Sequence, residues 1–158
     1  MSKNLISSTL QELEFLKDLP PEYVEKIANM SKIRDFDEFD VVFRDGQLAE
    51  HLYFVVSGNV HVESPVGSGR YRHILTLSRG ELVGWSSLLG ECYTTRGRTP
   101  ESARLVEIDV DQLWKACHRD VQFGFEFMRR VVGALAKRLS TTRLQLLAAQ
   151  GHQLSAVN

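Results

Sequence analysis

The feature that most constrains the fold is a series of short strand-like segments between Ile33 and Asp109. Segments such as HLYFVVSGNVHVE, YRHILTL and ARLVEID are rich in Val, Ile and aromatic residues, and turn signals separate them. Among those signals are Asp45-Gly46, Ser57-Gly58-Asn59 and the stretch 65–69. About eight strands fit this region, which is the number a jelly roll uses. The pattern predicts an antiparallel eight-stranded β-roll over 33–109, in which the Ser-Gly-Asn turn joins two paired strands.

A helical lead-in is predicted before the roll, over residues 1–32. Ser7 or Ser8 is a suitable cap for a helix that continues to Leu16, and Pro20-Pro21 ends it. Pro21 then suits the first turn of a second helix, because proline has no amide hydrogen to lose there.

Two more helices are predicted after the roll, over residues 110–150. Val110 to Cys117 has the pattern of a short helix, and Asp120 can cap a long one. Residues 151–158 form a tail. The 158 residues are thus expected to form a single domain, mainly β with flanking α.

The long helix carries a heptad pattern that is sustained for four repeats. The nine seam positions are Val121, Phe125, Met128, Val132, Leu135, Leu139, Thr142, Leu146 and Ala149, and all of them except Thr142 are apolar. This pattern favours a parallel homodimer over the alternative of a helix that only lies on its own roll.

Other residues of the long helix lie off this seam. The apolar ones, which allow a second face to pack on the roll, are Phe123, Phe127, Val131, Leu144 and Leu147. The basic ones, interpreted as the solvated face, are Arg129, Arg130, Lys137, Arg138 and Arg143. No nucleic-acid role is expected for them.

Composition narrows the class of protein. The formal net charge is −1 and hydrophobic residues make up 43%, so neither a large phosphate-backbone footprint nor a disordered chain is indicated. Cys92 and Cys117 are the only cysteines and have no metal-finger spacing. Because no signal peptide or 18-residue apolar run is present, a cytoplasmic protein without membrane contact is expected.

The order of elements resembles the cyclic nucleotide-binding domain of the catabolite activator and Fnr-type superfamily. The stretches VVFRDGQLAEHLYFVVSGNVHVE, GELVGW and MRRVVGALAKRLSTTRLQLL carry the resemblance, which extends from about Leu16 to Leu147. Members that bind DNA have a helix-turn-helix module after the long helix. The sequence ends at Asn158, so no DNA binding by this chain is expected.

In that family a phosphate-binding cassette holds the cyclic nucleotide with helix-start amides, a Glu for the ribose and an Arg for the phosphate. The resemblance aligns the cassette glycine with Gly84, at the start of GWSS, and the hydroxylic residue that follows the Arg with Thr94. The Glu position holds Trp85 and the Arg position holds Tyr93. The resemblance therefore implies ligand contacts from Gly84, Trp85, Ser86, Ser87, Tyr93 and Thr94, and also from Thr142 of the long helix.

Two alternatives remain open at this divergent cassette. Arg96 or Arg98 would replace the missing guanidinium if either points inward, or both are surface arginines beside Glu101. Trp85 either stacks on a planar ligand or fills an empty pocket.

The two functional hypotheses are both non-enzymatic, because no catalytic constellation is visible in the sequence. The first is a regulatory module without a required cofactor, which binds a cyclic nucleotide or another small anion as effector and signals through its homodimer. The second is a ligand-free pseudo-sensor that acts as a dimerisation or docking protein. A haem or iron–sulfur sensor built on Cys92 and His73 is disfavoured, since one Cys and one His have no defined spacing. The downstream protein partner is not indicated by the sequence.

Overall fold

The computed structural model describes residues 3–155, with side chains described as far as residue 151. Helices precede the roll at α1 (Lys3–Gln11), a 3-10 turn (Glu14–Leu16) and α2 (Pro21–Asn29). The strands are β1 (Ser31–Phe36), β2 (Val41–Phe43), β3 (His51–Ser57), β4 (Val60–Pro65), β5 (Tyr71–Leu77), β6 (Leu82–Val83), β7 (Arg96–Arg98) and β8 (Ala103–Asp109). A 3-10 helix, Trp85–Leu89, lies between β6 and β7, and α3 (Val110–Arg119) and α4 (Val121–Ser155) follow β8.

The eight strands form two four-stranded sheets, with orders β1-β8-β3-β6 and β2-β7-β4-β5. All strand pairs are antiparallel. The predicted eight-stranded jelly roll with N-terminal helices and a long C-terminal helix is confirmed. The first strand begins two residues earlier than predicted, at Ser31, whose buried hydroxyl donates to the carbonyl of Ile27 at 2.5 Å.

The prediction that the Ser57-Gly58-Asn59 turn joins two paired strands is wrong. Both edges of β3 are occupied, by β6 and β8, so β4 crosses into the other sheet and pairs with β5 and β7. Gly58 makes this crossing at a φ of +73°, where a Cβ would lie 2.5 Å from the carbonyl oxygen of Ser102. The turn residues therefore mark a sheet-to-sheet crossing and not a hairpin.

The N-terminal lead-in also differs from the prediction. Ser7 and Ser8 lie inside α1, which begins at Lys3, and the Ser8 hydroxyl donates to the carbonyl of Leu5 at 3.0 Å. A separate 3-10 turn then carries Leu16 into the core. The start of α2 at Pro21 is confirmed. Serine inside the helix is tolerated because its hydroxyl bonds back to a carbonyl of the preceding turn.

Two apolar clusters share β3 between them. Phe54 faces the helices, where it joins Phe123 and Phe127 of α4 in the larger cluster. Its neighbours Tyr53 and Val55 face the interior of the roll in the second cluster. This follows from the alternation of side chains along a strand, and it places the roll interior and the helix layer back to back.

The predicted cap of the long helix, Asp120, is confirmed, and Asp109 is a cap that the sequence analysis did not name. The Asp109 carboxylate accepts a hydrogen bond from the amide of Gln112 at 2.9 Å, and the Asp120 carboxylate accepts one from the amide of Phe123 at 3.1 Å. The 35 residues of α4 extend about 50 Å. Within residues 3–155 no helix combines the length and the apolar character that a bilayer-spanning segment needs.

Candidate ligand-binding site

The cassette predicted from the sequence is a tight turn into the 3-10 helix Trp85–Leu89. Gly84 precedes that helix with a φ of +81°, a conformation that favours glycine. A Cβ on Gly84 would lie 3.2 Å from Cε1 of Tyr93. The turn and the Tyr93 ring are therefore in close contact.

The serines of the cassette are used inside the protein. Ser86 and Ser87 are both buried, and the Ser87 hydroxyl donates to the carbonyl of Gly84 at 2.7 Å. Trp85 is 40% exposed, so its indole does not fill an internal pocket. Thr94 is exposed as well.

Tyr93 is part of the core of the roll. Its side chain is buried, it stacks on Phe43 with ring centroids 4.2 Å apart, and its hydroxyl donates to the carbonyl of His51 at 2.7 Å. Burial raises the pKa of Tyr93 to about 12. The position at which the family resemblance places a ligand-binding guanidinium is thus occupied by a packed aromatic ring.

Arg96 lies on the outer face of its sheet, away from the interior of the roll. The neighbouring Gly97 faces the interior, where a Cβ would lie 2.6 Å from the Phe43 ring, so Arg96 and Arg98 point outward. The Arg96 guanidinium pairs with Glu63 (Nε to Oε2, 2.7 Å) and lies 3.6 Å from the centre of the Tyr71 ring. Neither arginine therefore points into the roll. The predicted neighbour Glu101 is not their partner, since the Arg96 side chain is only 17% exposed and pairs with Glu63, and Arg98 donates to the carbonyl of Phe39 at 3.4 Å.

A buried polar cluster behind the cassette was missed in the sequence. Glu107 is buried, and its carboxylate lies 3.1 Å from a guanidinium nitrogen of Arg34 and 3.9 Å from the His51 ring. Burial and the nearby Tyr93 raise the pKa of Tyr53, which also hydrogen-bonds Glu107. The sequence signal that could have revealed this cluster is Glu107, the one carboxylate at a buried position of the strand ARLVEID.

A separate groove lies between α4 and the β5–β6 segment, with a volume of about 460 Å³. Thr142 lines it, together with Thr141 and the apolar side chains Leu75, Leu77 and Leu82. Its charged lining residues are Glu14, Arg79, Glu81, Arg130, Lys137 and Arg138. None of the cassette residues 84–94 lines this groove, so the structure separates Thr142 from the other predicted ligand contacts.

The interpretation of the α4 basic residues as a solvated face is wrong for two of them. Arg130 donates to the carbonyl of Phe15 at 3.2 Å, and Arg138 donates to the carbonyl of Leu82 in a short hydrogen bond. Both side chains are half-buried, whereas Arg129 and Arg143 are exposed. Arginine's long stem allows this, since it packs along apolar surface while its head reaches a distant carbonyl.

The two cysteines lie in different environments. Cys92 is exposed in the cassette loop, and Cys117 is buried in α3, where burial raises the pKa of its thiol. In the part of the chain that the structure describes, no group of three or more His, Cys, Asp or Glu side chains is arranged to hold a metal ion.

Comparison with known proteins gives a family and a fold. The sequence model of the cyclic nucleotide-binding domain matches residues 33–120. The solved structure of a cyclic nucleotide-binding domain from Methylobacillus flagellatus KT superposes with a TM-score of 0.79 at 14% identity, covering 93% of this chain and 83% of that one. A putative cyclic nucleotide-binding protein from Geobacter metallireducens GS-15 gives a TM-score of 0.73 at 23% identity, covering 88% and 98%.

A curated relative extends over more of the sequence than the family model does. The anaerobic regulatory protein of Bacillus subtilis is 26% identical over 146 residues, which are 91% of this chain and 56% of that protein. The chain spans from 11% to 56% of the length of the curated relatives that it matches.

Proposed function

The chain belongs to the cyclic nucleotide-binding domain family, and from this premise we propose that it is a non-catalytic regulatory module. In this proposal it forms a homodimer through α4 and binds a small anionic effector, such as a nucleotide, next to the same helix. Membership of this family, together with the lack of an identified set of catalytic residues in the sequence, supports a binding role over an enzymatic one.

The observation that carries the proposal is the division of α4 into two faces. On the roll side lies the groove, with cationic side chains and two threonines. On the opposite side the seam residues Val132 and Leu139 are 65% and 71% exposed. Exposed apolar residues in a sustained heptad pattern are typical of a helix that pairs with a second copy.

The two faces would be linked through Thr142, which is the one seam residue that also lines the groove. A ligand that binds more tightly to the paired form must strengthen pairing by the same factor. The module would then convert effector concentration into dimer population.

Sedimentation velocity over a protein dilution series tests this function. We expect a monomer–dimer equilibrium, and we expect one member of a panel of cyclic mononucleotides, cyclic dinucleotides and phosphorylated metabolites to shift it. A thermal-shift assay on the same panel identifies which compound to use. A protein that stays monomeric at every concentration with every compound would overturn the proposal.

The second candidate function, a ligand-free docking module, is favoured by the packing of Tyr93. The resemblance aligns the family's Arg with Tyr93, whose ring is buried, and its Glu with Trp85, which is 40% exposed. Losing charge-assisted hydrogen bonds costs about 1.5–3 kcal/mol each, so cyclic AMP held in the usual manner would bind weakly.

Calorimetry with cyclic AMP tests the first difference between the two candidates, which is whether the cassette binds this nucleotide. Submicromolar affinity would contradict the weak binding expected from the cassette. Mass spectrometry of the protein after denaturation then tests for a co-purified small molecule. A dimer with no co-purified ligand and no response to the panel would support the docking candidate.

A further inference from the structure

We propose that the groove between α4 and the β5–β6 segment binds a phosphate-bearing small molecule, whose phosphate groups pair with Arg138 and Arg130. This inference rests on the proposed regulatory function. It adds the place where the effector binds and the chemical class of that effector. The cassette is not part of the site.

The first argument is the charge of the groove. Arg79, Arg130, Lys137 and Arg138 face two carboxylates, Glu14 and Glu81, which leaves a net charge of +2 in a chain whose formal net charge is −1. A concave, partly desolvated surface with an excess of positive charge concentrates anionic ligands.

The second argument is that the two half-buried arginines have incompletely satisfied guanidiniums. Arg130 and Arg138 each donate to one backbone carbonyl, of Phe15 and Leu82. The Nε atoms of both are buried without an acceptor within the described residues, so a ligand in the groove would contact the terminal guanidinium nitrogens and not Nε. Neither arginine is within 4.0 Å of a carboxylate there. Burial lowers the pKa of Arg138, and the Glu81 carboxylate of the same groove opposes this with a smaller, raising effect. Half-buried cations that lack a carboxylate partner are stabilised by a bound anion.

Lys137 and Arg79 add to the same surface in different ways. Lys137 is exposed and forms no ion pair among residues 3–151, so its ammonium is available to a ligand. Arg79 also lines the groove, but its guanidinium pairs with Glu12 at 3.0 Å.

The third argument is the chemistry of the remaining lining. Leu75, Leu77 and Leu82 provide an apolar floor, while Thr141 and Thr142 provide hydroxyl groups. A volume of about 460 Å³ lies within the usual range for small-molecule sites, roughly 300–1,000 Å³. Arg130 and Arg138 are eight residues apart, or about 12 Å along the helix axis. This spacing suits a ligand with an extended or doubly charged phosphate part and a less polar body.

The experiment uses inorganic pyrophosphate and ADP as probes, with citrate as the carboxylate control. Calorimetry is performed on the wild type, Arg138→Gln, Lys137→Gln and the matched control Arg143→Gln, which removes an exposed charge of α4 outside the groove. Lys137→Gln is included because an exposed lysine can be replaced without disturbing the fold, whereas Arg138 also holds the carbonyl of Leu82.

We expect Arg138→Gln to weaken binding of the phosphate probes by about tenfold or more and Lys137→Gln by about threefold. Arg143→Gln should leave the affinity unchanged, and citrate should bind less well than either phosphate probe. Equal losses in Arg143→Gln and Lys137→Gln, or no binding of either phosphate probe in the millimolar range, would overturn the site.

Sedimentation of the same samples distinguishes the site from the signalling function. Probe binding that depends on Arg138 but leaves the dimer constant unchanged supports the site and contradicts the proposed coupling. The other outcome is that a different effector shifts the dimer constant. If that effector binds wild type and Arg138→Gln with the same affinity, this result contradicts the site and supports the regulatory function.

Discussion

The two halves of α4 lie in opposite environments. In residues 121–135, Phe123 and Phe127 are fully buried against the helix layer and Val131 is nearly so. In residues 136–151, every residue is exposed except the half-buried Arg138. The first half packs one face on the core and exposes the other, with Val121, Phe125 and Val132, whereas the second half contacts the roll mainly through Arg138.

This difference shows which half needs a partner. A helix segment of this length is marginal in water when no tertiary packing supports it. The second half nevertheless exposes Leu139, Leu144, Leu146 and Leu147. Covering those leucines with a second copy of α4 would stabilise the segment, whereas the first half has its own core to hold it.

The largest expected effect distinguishes the halves by stability. Phe127→Ala should lower the free energy of unfolding by about 3–5 kcal/mol, because it removes a buried ring and leaves a cavity. The matched control is Phe125→Ala, which removes the same atoms from a ring that is 61% exposed. Urea unfolding at several protein concentrations measures both. Equal losses in the two variants at low concentration would show that the two faces of this half do not differ as described.

The next effect distinguishes the halves by pairing. Replacing Val132 and Leu139 together by Lys should weaken the dimer by about a hundredfold or more, since like charges meet and apolar contact is lost. Leu135 is left unchanged because it is half-buried and packs on the core, so a lysine there would also disturb the fold.

Ser140→Lys is the control for this double variant, because Ser140 is exposed on α4 but lies off the seam. Its dimer constant should match the wild type, as measured by sedimentation equilibrium. A double variant that dimerises as tightly as Ser140→Lys would contradict pairing through the seam.

A third, smaller effect concerns the ion pair that fixes the start of α4. Lys26 of α2 hydrogen-bonds the Asp120 carboxylate, and this contact together with the amide of Phe123 lowers the pKa of Asp120. A carboxyl whose pKa is lowered by folding stabilises the protein above its unfolded pKa, near 3.9. That contribution is lost as the pH falls through the lowered, folded value.

Asp120→Asn should therefore lower the melting temperature at neutral pH, and the difference from wild type should disappear in strong acid. Calorimetric melting between neutral and acidic pH measures this, with Asp111→Asn as the control for an exposed acid of α3 that pairs only with Lys115. A difference for Asp120→Asn that persists unchanged into strong acid would mean that the carboxylate charge is not responsible.

The comparison also shows why some features could be predicted and others could not. Strand composition and turn residues predicted the eight strands, and the cap Asp120 was predicted because capping is local chemistry. Pairing of β3 with β6 and β8 is non-local, so the Ser57-Gly58-Asn59 turn was misassigned. The burial of Tyr93 and of Arg138 depends on the residues that pack against each of them in the folded chain. The periodicity of apolar residues in the sequence does not reveal those neighbours.

The smallest expected effect tests Thr142, the residue where the seam and the groove meet. Its neighbour Thr141 donates its hydroxyl to the carbonyl of Lys137 at 3.1 Å, as helical threonines often do. Thr142→Val keeps the shape of the side chain and removes only the hydroxyl. If that hydroxyl contacts both the effector and the second helix, the variant should pair about fivefold more tightly or more, because burying an unpaired hydroxyl in a dimer costs about 1–3 kcal/mol. It should also bind effector a few-fold more weakly, because a hydrogen bond to the effector is lost.

Ser140→Ala provides the reference for this measurement, since it removes an exposed hydroxyl from the same turn region but outside the groove. Sedimentation and calorimetry on both variants give the dimer constant and the effector affinity separately. Unchanged values of both in Thr142→Val would mean that this residue only sets the register of the helices. Tighter pairing with unchanged effector affinity would place Thr142 in the dimer seam alone, and the two halves of the signalling proposal would then have to be linked through Arg138 and the β5–β6 segment instead.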